Sequence, residues 1–253
     1  MVDNVIFSPR ANLRFNPTQN INLRLSYSSG FRAPQAFDED MHIENVGGTV
    51  AMIERAKDLK EEKSQSFSVS ADMYHRFGAF QTNLLIEGFY TRLTDVFVLG
   101  KPYDRGDGIL VKTRSNGPGA KVMGLTLEGK VAYLSILQIQ AGLTLQRSRY
   151  DEPHKWHDDA PAEKKIFRTP DTYGYFTATC TPIKPLSIAL SGTYTGRMLV
   201  QRMDITAENA ELGKMPERKA EAIRTPRFFD LGVKLAYDFK LYKTVDLQLN
   251  GGV

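Results

Sequence analysis

The residues best equipped for chemistry fall in one short stretch, EPHKWHDD, which holds His154, Trp156, His157, Asp158 and Asp159. Two imidazoles at i, i+3 beside carboxylates are the ligand types that hold a divalent metal. A metal site needs ligands converging from a fixed backbone, and this stretch reads as a surface loop, poorly preorganised for that task. Trp156 as a stacking platform for a planar chelate or a sugar ranks above metal binding. In another polar stretch, Met41, His42 and the pair Gly47-Gly48 either approach a ligand or form a solvated loop with a flexible turn. KPYDRGDG places Asp104 and Asp107 among glycines, but it lacks the oxygen spacing and closing glutamate of a calcium loop and reads as a turn. No glycine-rich phosphate cradle or serine elbow occurs, and no histidine stands beside a plausible nucleophile. Of the 4 histidines, His42, His154 and His157 lie in predicted loops and His75 near a strand end, which disfavours an enzyme. No metal and no cofactor is expected.

These residues hang on elements with a period of two. Ile21, Leu23, Leu25 and Tyr27 alternate with Asn22, Arg24, Ser26 and Ser28. Upstream, Ala11, Leu13 and Phe15 alternate with Asn12, Arg14 and Asn16, and NPTQN predicts a tight turn in which Asn16-Pro17 ends the first strand. The unit recurs around Phe67–Met73, Leu84–Tyr90, Leu125–Tyr133, Leu137–Leu145, Leu186–Tyr194, Phe229–Tyr237 and Val245–Leu249, with Leu85 and Phe89 blurring one face. This predicts roughly ten strands of about the 9–11 residues a tilted membrane-crossing strand requires.

The connections alternate. Short turns are predicted at 16–20, 77–80, 134–136, 181–185 and 239–243, and long polar segments at 31–64, 92–119, 148–170 and 198–226. Long loops falling always at the same end of a hairpin describe an antiparallel up-and-down barrel. Short helices are predicted inside two of them, at AMIERAKDLKEE and AENAELGKMPERKAEA. Arg14, Arg24, Lys130 and Lys234 all fall opposite the apolar face, where a lipid contact would cost about 2–4 kcal/mol per cation. Aromatics stand at strand ends (Phe15, Tyr27, Tyr90, Tyr133, Tyr194, Tyr237), as an interfacial girdle requires. A soluble β-sandwich is the competing fold, and it would bury Leu13, Leu25, Ile139 and Leu231 between two sheets.

Composition narrows the classes. With 42% hydrophobic and 25% charged residues the 253-residue chain is neither disordered nor collagen-like. A net charge of +4, spread along the chain, gives no nucleic-acid footprint. Cys180 stands alone, so no intrachain disulfide forms. The N-terminus shows no signal-peptide pattern, and no apolar run approaches the roughly 20 residues of a spanning helix.

PRANLRFNPTQNINLRLSYSSGFRAPQ (Pro9–Gln35) closely resembles the barrel of TonB-dependent outer-membrane receptors, in which a Gly-Phe-Arg-Ala-Pro element ends a strand. DLKEEKSQSFSVSADMY, FYTRLTDVFVL, GLTLEGKVAY and GTYTGRM resemble later segments of the same barrel, in order, although the spacing between glycine and glutamate in the third is longer than usual. The resemblance implies an all-β transmembrane barrel fragment: about ten strands of a barrel of about 22, with short periplasmic turns and long extracellular loops. It implies that residues 1–253 form a partial barrel domain, with signal peptide, plug domain and final strand expected outside the chain. It implies the outer membrane as location, and outer-membrane lipid, a plug domain and TonB as partners. It implies uptake of a bulky scarce nutrient such as a ferric siderophore, haem or cobalamin, more than a glycan.

On that reading Arg32, Met41, His42, His154, Trp156 and His157 are the substrate-loop candidates. Arg14, Arg24, Glu87, Glu128, Lys130, Asp230 and Lys234 face the lumen, where they hydrate it or pair with a plug. A passive porin, and a barrel enzyme or adhesin, are the alternatives.

Overall fold

The computed structural model describes residues 6–34, 51–100, 103–106, 110–156, 160–205 and 218–253. In chain order the strands are β1 (Arg10–Thr18), β2 (Ile21–Arg32), β3 (Ala51–Arg55), β4 (Glu62–Phe77), β5 (Phe80–Thr94), β6 (Phe97–Leu99), β7 (Tyr103–Asp104), β8 (Leu110–Asn116) and β9 (Ala120–Tyr133). They continue as β10 (Leu137–His154), β11 (Glu163–Lys165), β12 (Thr172–Ile183), β13 (Leu186–Thr195), β14 (Leu199–Ile205), β15 (Arg218–Arg224), β16 (Phe228–Tyr242) and β17 (Val245–Gly252). Ten of them form one antiparallel sheet in the order β1-β2-β4-β5-β9-β10-β12-β13-β16-β17, each strand beside its predecessor in the path, with β11 added to β10. This is an up-and-down wall, an open portion of a barrel with β1 and β17 at its flanks.

The alternation read from the sequence becomes two faces because the register holds across every ladder. One row of directly paired residues runs Leu23, Ala71, Ile86, Leu127 and Leu143, and the row beside it runs Arg24, Ser70, Glu87, Thr126 and Thr144. The apolar face is the exposed one. Leu13, Leu25, Ile139 and Leu231 are 65%, 53%, 40% and 53% exposed, whereas Asn22 and Thr144 on the polar face are 8% and 7% exposed. The competing sandwich would bury those four, so its fold is excluded. The wall is built inside out.

Aromatics mark the two margins of the apolar face. Phe77 and Phe80 stack at 5.5 Å, Phe80 and Tyr133 meet at 4.8 Å, and Tyr237 and Phe239 at 4.6 Å near the short turns. Tyr27 and Phe67 meet at 4.8 Å near the long connections, where Tyr90 pairs with Phe67 and Tyr194 with Phe229. On β5 the margins are Phe80 and Tyr90. Ten residues at ~3.3 Å each, tilted by about 40°, project to about 25 Å, the height of a barrel's apolar band.

All five short turns lie at one end. Gly78 opens the turn after β4 with φ 58°, a conformation glycine adopts without a Cβ penalty. Three details differ from the sequence reading. β1 continues through Pro17 to Thr18, with an irregular register after Phe15; an edge strand tolerates a missing N–H. The last short turn lies beyond Tyr242, because Phe239 and Lys240 stay paired with Leu247 and Asp246. The two predicted helices do not form where the chain is described. Ala51–Arg55 is β3, paired in parallel with β8, and Arg218–Arg224 is β15, paired with β14. A helix of one or two turns gains little alone, while a ladder satisfies the same backbone groups at once.

Candidate functional site

Side-chain hydrogen bonds gather on the polar face, and its centre is a tied network. Glu128 accepts from the Tyr175 hydroxyl at 2.6 Å and from Gln140 Nε2 at 3.1 Å, and its carboxylate lies 3.2 Å from Lys130 Nζ. Gln140 also donates to the Tyr175 hydroxyl at 2.6 Å. β9, β10 and β12 supply these groups from adjacent strands. Gly142, directly opposite Tyr175, makes room for the ring: a Cβ there would meet Tyr175 Cε1 at 2.5 Å. Toward β4, Asp72 accepts from Tyr74 at 2.9 Å and from Asn83 at 2.5 Å. Hydroxyl pairs, Thr126–Thr144 at 3.0 Å and Ser66–Thr91 at 2.9 Å, link further strands.

All seven residues assigned to the lumen from sequence lie on this face. Glu87, Glu128 and Lys130 sit in its shielded centre, and Arg14, Arg24, Asp230 and Lys234 on its exposed flanks. Arg14 and Arg24 stand on β1 and β2 at one flank, and Asp230 and Lys234 on β16, the strand beside β17, at the other. Sequence reasoning named Glu128 and Lys130 but not Tyr175, which bonds to Glu128, and it put Asp72 and Asn83 on the polar face without joining them. These pairings become visible only once the register brings the strands together.

The long connections carry structure of their own. β3, β8, β6 and β7 form a small sheet, and β14 with β15 a hairpin. Asn116 clamps the first of these: it accepts from Lys60 N at 2.8 Å and donates to the carbonyls of Lys60 at 3.1 Å and Asp95 at 2.7 Å. Arg32 stacks over Phe97 at 5.2 Å, and the neighbouring Glu62 accepts from Phe97 N at 3.0 Å. Arg32 thus fastens β6 to the top of β2. Tyr103 donates to Glu54 at 2.5 Å, and Gly106 N donates to Asp104 at 2.8 Å with Gly106 at φ 98°, an Asx turn in the described part of KPYDRGDG; Lys101, Pro102, Asp107 and Gly108 lie outside the described residues.

His154 ends β10, half-buried, with its ring 5.6 Å from Tyr150; burial lowers its pKa below the ordinary imidazole value. Trp156 meets Phe167 edge-on at 6.2 Å. The two are therefore placed by aromatic neighbours on β10 and in the following connection. Met41, His42, Gly47, Gly48, His157, Asp158 and Asp159 lie outside the described residues. Among the described residues no group of three or more metal-ligating side chains converges.

Comparison with known proteins places this geometry. The family described as "TonB dependent receptor-like, beta-barrel" matches residues 2–253. No curated protein matches the chain. Among solved structures, a variant of the ferric enterobactin receptor of Pseudomonas aeruginosa aligns with TM-score 0.63 and 17% identity over 97% of this chain and 34% of its own. The FrpB iron transporter of Neisseria meningitidis gives 0.61 and 14% over 96% and 34%. The ferric-catecholate import receptor Fiu of E. coli gives 0.57 and 16% over 95% and 29%. At such identities the likeness shows the fold, and the chain spans about a third of each of these structures.

Proposed function

We propose, from the premise that this chain belongs to the TonB-dependent receptor β-barrel family, that it is part of the wall of an outer-membrane receptor that imports a bulky iron chelate, energised through TonB. The observation that supports this most is the inverted burial: exposed leucines on one face, shielded hydroxyls and a tied Glu128–Lys130–Tyr175 network on the other. Such a wall meets lipid with its apolar face and encloses a polar lumen. In a lumen already organised by side-chain hydrogen bonds, a plug domain seats against fixed donors and acceptors with little reordering.

The substrate class follows the iron-importing structures the wall resembles. Catecholate siderophores and haem present aromatic faces, and Trp156 at the loop end offers an indole to stack on them. The wall's work is capture and passage, not bond-making. Its central acid and phenol are committed to each other.

Deleting the gene in its host and feeding labelled ferric chelates tests the reading. Loss of uptake of one chelate, matched by loss in a strain without TonB, is the expected result. Unchanged uptake of every iron chelate, haem and cobalamin would overturn it, and TonB-independent leakage of small sugars through the purified protein would replace it with a passive porin.

A further inference from the structure

Two observations on the apolar face fall together above and below one aromatic margin. Below it, glycine replaces a side chain in the row Leu25, Val69, Gly88, Leu125 and Leu145. The gap opens a groove of about 750 Å³ lined by Leu25, Phe67, Val69, Met123 and Leu125, with Arg147 at its rim. Gly88 is not held by crowding, since a Cβ there would stand 3.7 Å from Val69, an ordinary contact. The groove exists because no side chain fills it.

Above the margin the same face turns basic. Arg92, Lys121 and Arg149 pair in one row across β5, β9 and β10, and Arg147 pairs with Met123 in the row beneath. The rows are about 7 Å apart, two residues along each strand. Two carboxylates stand near them: Asp151 lies 3.2 Å from Arg92 and 3.6 Å from Lys121, and Asp171 lines the groove with Arg147. Lys165, paired with Arg149, is taken by Asp171 at 2.5 Å. Five cations, Lys165 included, against Asp151 and Asp171 leave the cluster net positive, with Arg147 and Arg149 exposed.

We infer that this patch binds a phosphorylated, acylated lipid, its acyl chain in the Gly88 groove and its phosphate on Arg147 and Arg149. The charge argues for that occupant. A guanidinium fork matches phosphate oxygens in two-point geometry, and the cluster stands at the depth where a lipid headgroup meets a band of apolar residues. A neutral lipid would fill the groove and leave the arginines unanswered.

The inference rests on the reading that the apolar face meets lipid. The intact protein that carries this wall, purified in nonionic detergent, is offered bis-phosphorylated lipid A and the same lipid after enzymatic dephosphorylation, with retention read by native mass spectrometry. The phosphorylated lipid is expected to be retained at least tenfold better. Arg147→Gln with Arg149→Gln abolishes that preference, and Gly88→Phe reduces retention of both lipids at least tenfold. Inorganic pyrophosphate at equal concentration does not displace the lipid.

Equal retention of the two lipids by the unaltered protein overturns the inference, and that comparison needs no variant to fold. Displacement by pyrophosphate overturns the lipid in favour of a plain phosphate site, and unchanged retention by Gly88→Phe overturns the groove. Heat-modifiable migration on gels confirms that each variant is folded, and Arg149→Gln alone serves where the double variant is not. A protein that fails to partition into membranes defeats the premise itself, a result distinct from partitioning without phosphate preference.

Discussion

The ring of Tyr175 lies over Gly142 of the neighbouring strand, and its hydroxyl reaches Glu128 at 2.6 Å one strand further on. A backbone without a side chain thus lets one residue tie three strands together. Gly142→Ala must push the ring aside, since its Cβ would stand 2.5 Å from Cε1. A loss of about 1–3 kcal/mol is expected, read as a lower urea midpoint of the folded barrel. Gly88→Ala, whose Cβ meets only an ordinary contact, is expected to shift that midpoint little. Equal effects at the two positions would show that the ring's seat over Gly142 is unimportant.

The hydroxyl of Tyr175 has its own effect. Tyr175→Phe keeps the ring and removes the donor to Glu128, leaving that carboxylate with Gln140 and Lys130. About 1–3 kcal/mol of stability should go with it. Combined with Glu128→Gln in a double-mutant cycle, the two losses should be clearly less than additive. Additive losses would mean that the pair does not interact.

The strands, the hairpins, the polarity of each face and the end at which long connections gather were legible in the sequence, because a two-residue period is printed wherever one face is apolar. Ile21 to Tyr27 and Leu137 to Leu145 state their faces outright. Pairing partners were not legible. Tyr175 meets Glu128 only through a register across two ladders, and nothing near either residue announces it. The loop sheets were hidden for a related reason. AMIER reads as helix by propensity, and its ladder partner Leu110–Arg114 lies more than fifty residues on. The basic row above the apolar face was lost in an even spread of charge, since Arg92, Lys121 and Arg149 are neighbours only across strands.

His154 gives a pH dependence with a definite sign. Burial lowers its folded-state pKa below the unfolded value of about 6.5. Stability from the buried neutral ring is therefore complete above the unfolded pKa and is lost as pH falls through the folded pKa. The connection after β10 should exchange its amides faster in mildly acidic buffer than at neutral pH, relative to the rest of the wall. His154→Gln should remove that difference. An imidazole midpoint at or above 6.5 by NMR titration would contradict the burial.

Asn116 makes three hydrogen bonds to backbone groups of two separate segments, at Lys60 and Asp95. Asn116→Ala leaves those groups to water and should loosen the small sheet by about 1–3 kcal/mol without touching the main ladders. Limited proteolysis should then cut faster near residues 56–61 and 95–100, while the ten-stranded wall stays intact. Uniform protection would show that β6 and β8 hold the connection without the clamp.

The two faces make opposite predictions for the same side chain. Leu127 sits in the middle of the apolar face, and Ser70 sits at the same height on the polar face between Arg24 and Glu87. Arginine at Leu127 places a cation against lipid at mid-depth, at a cost of about 2–4 kcal/mol. Arginine at Ser70 enters an aqueous lumen beside the Glu87 carboxylate, which offsets the like charge of Arg24. Leu127→Arg should therefore lower the yield of folded protein in outer membranes severalfold, and Ser70→Arg should leave it nearly unchanged. The reverse order would mean that Leu127 packs against protein, and the inverted burial would then need a partner surface and not a bilayer to account for it.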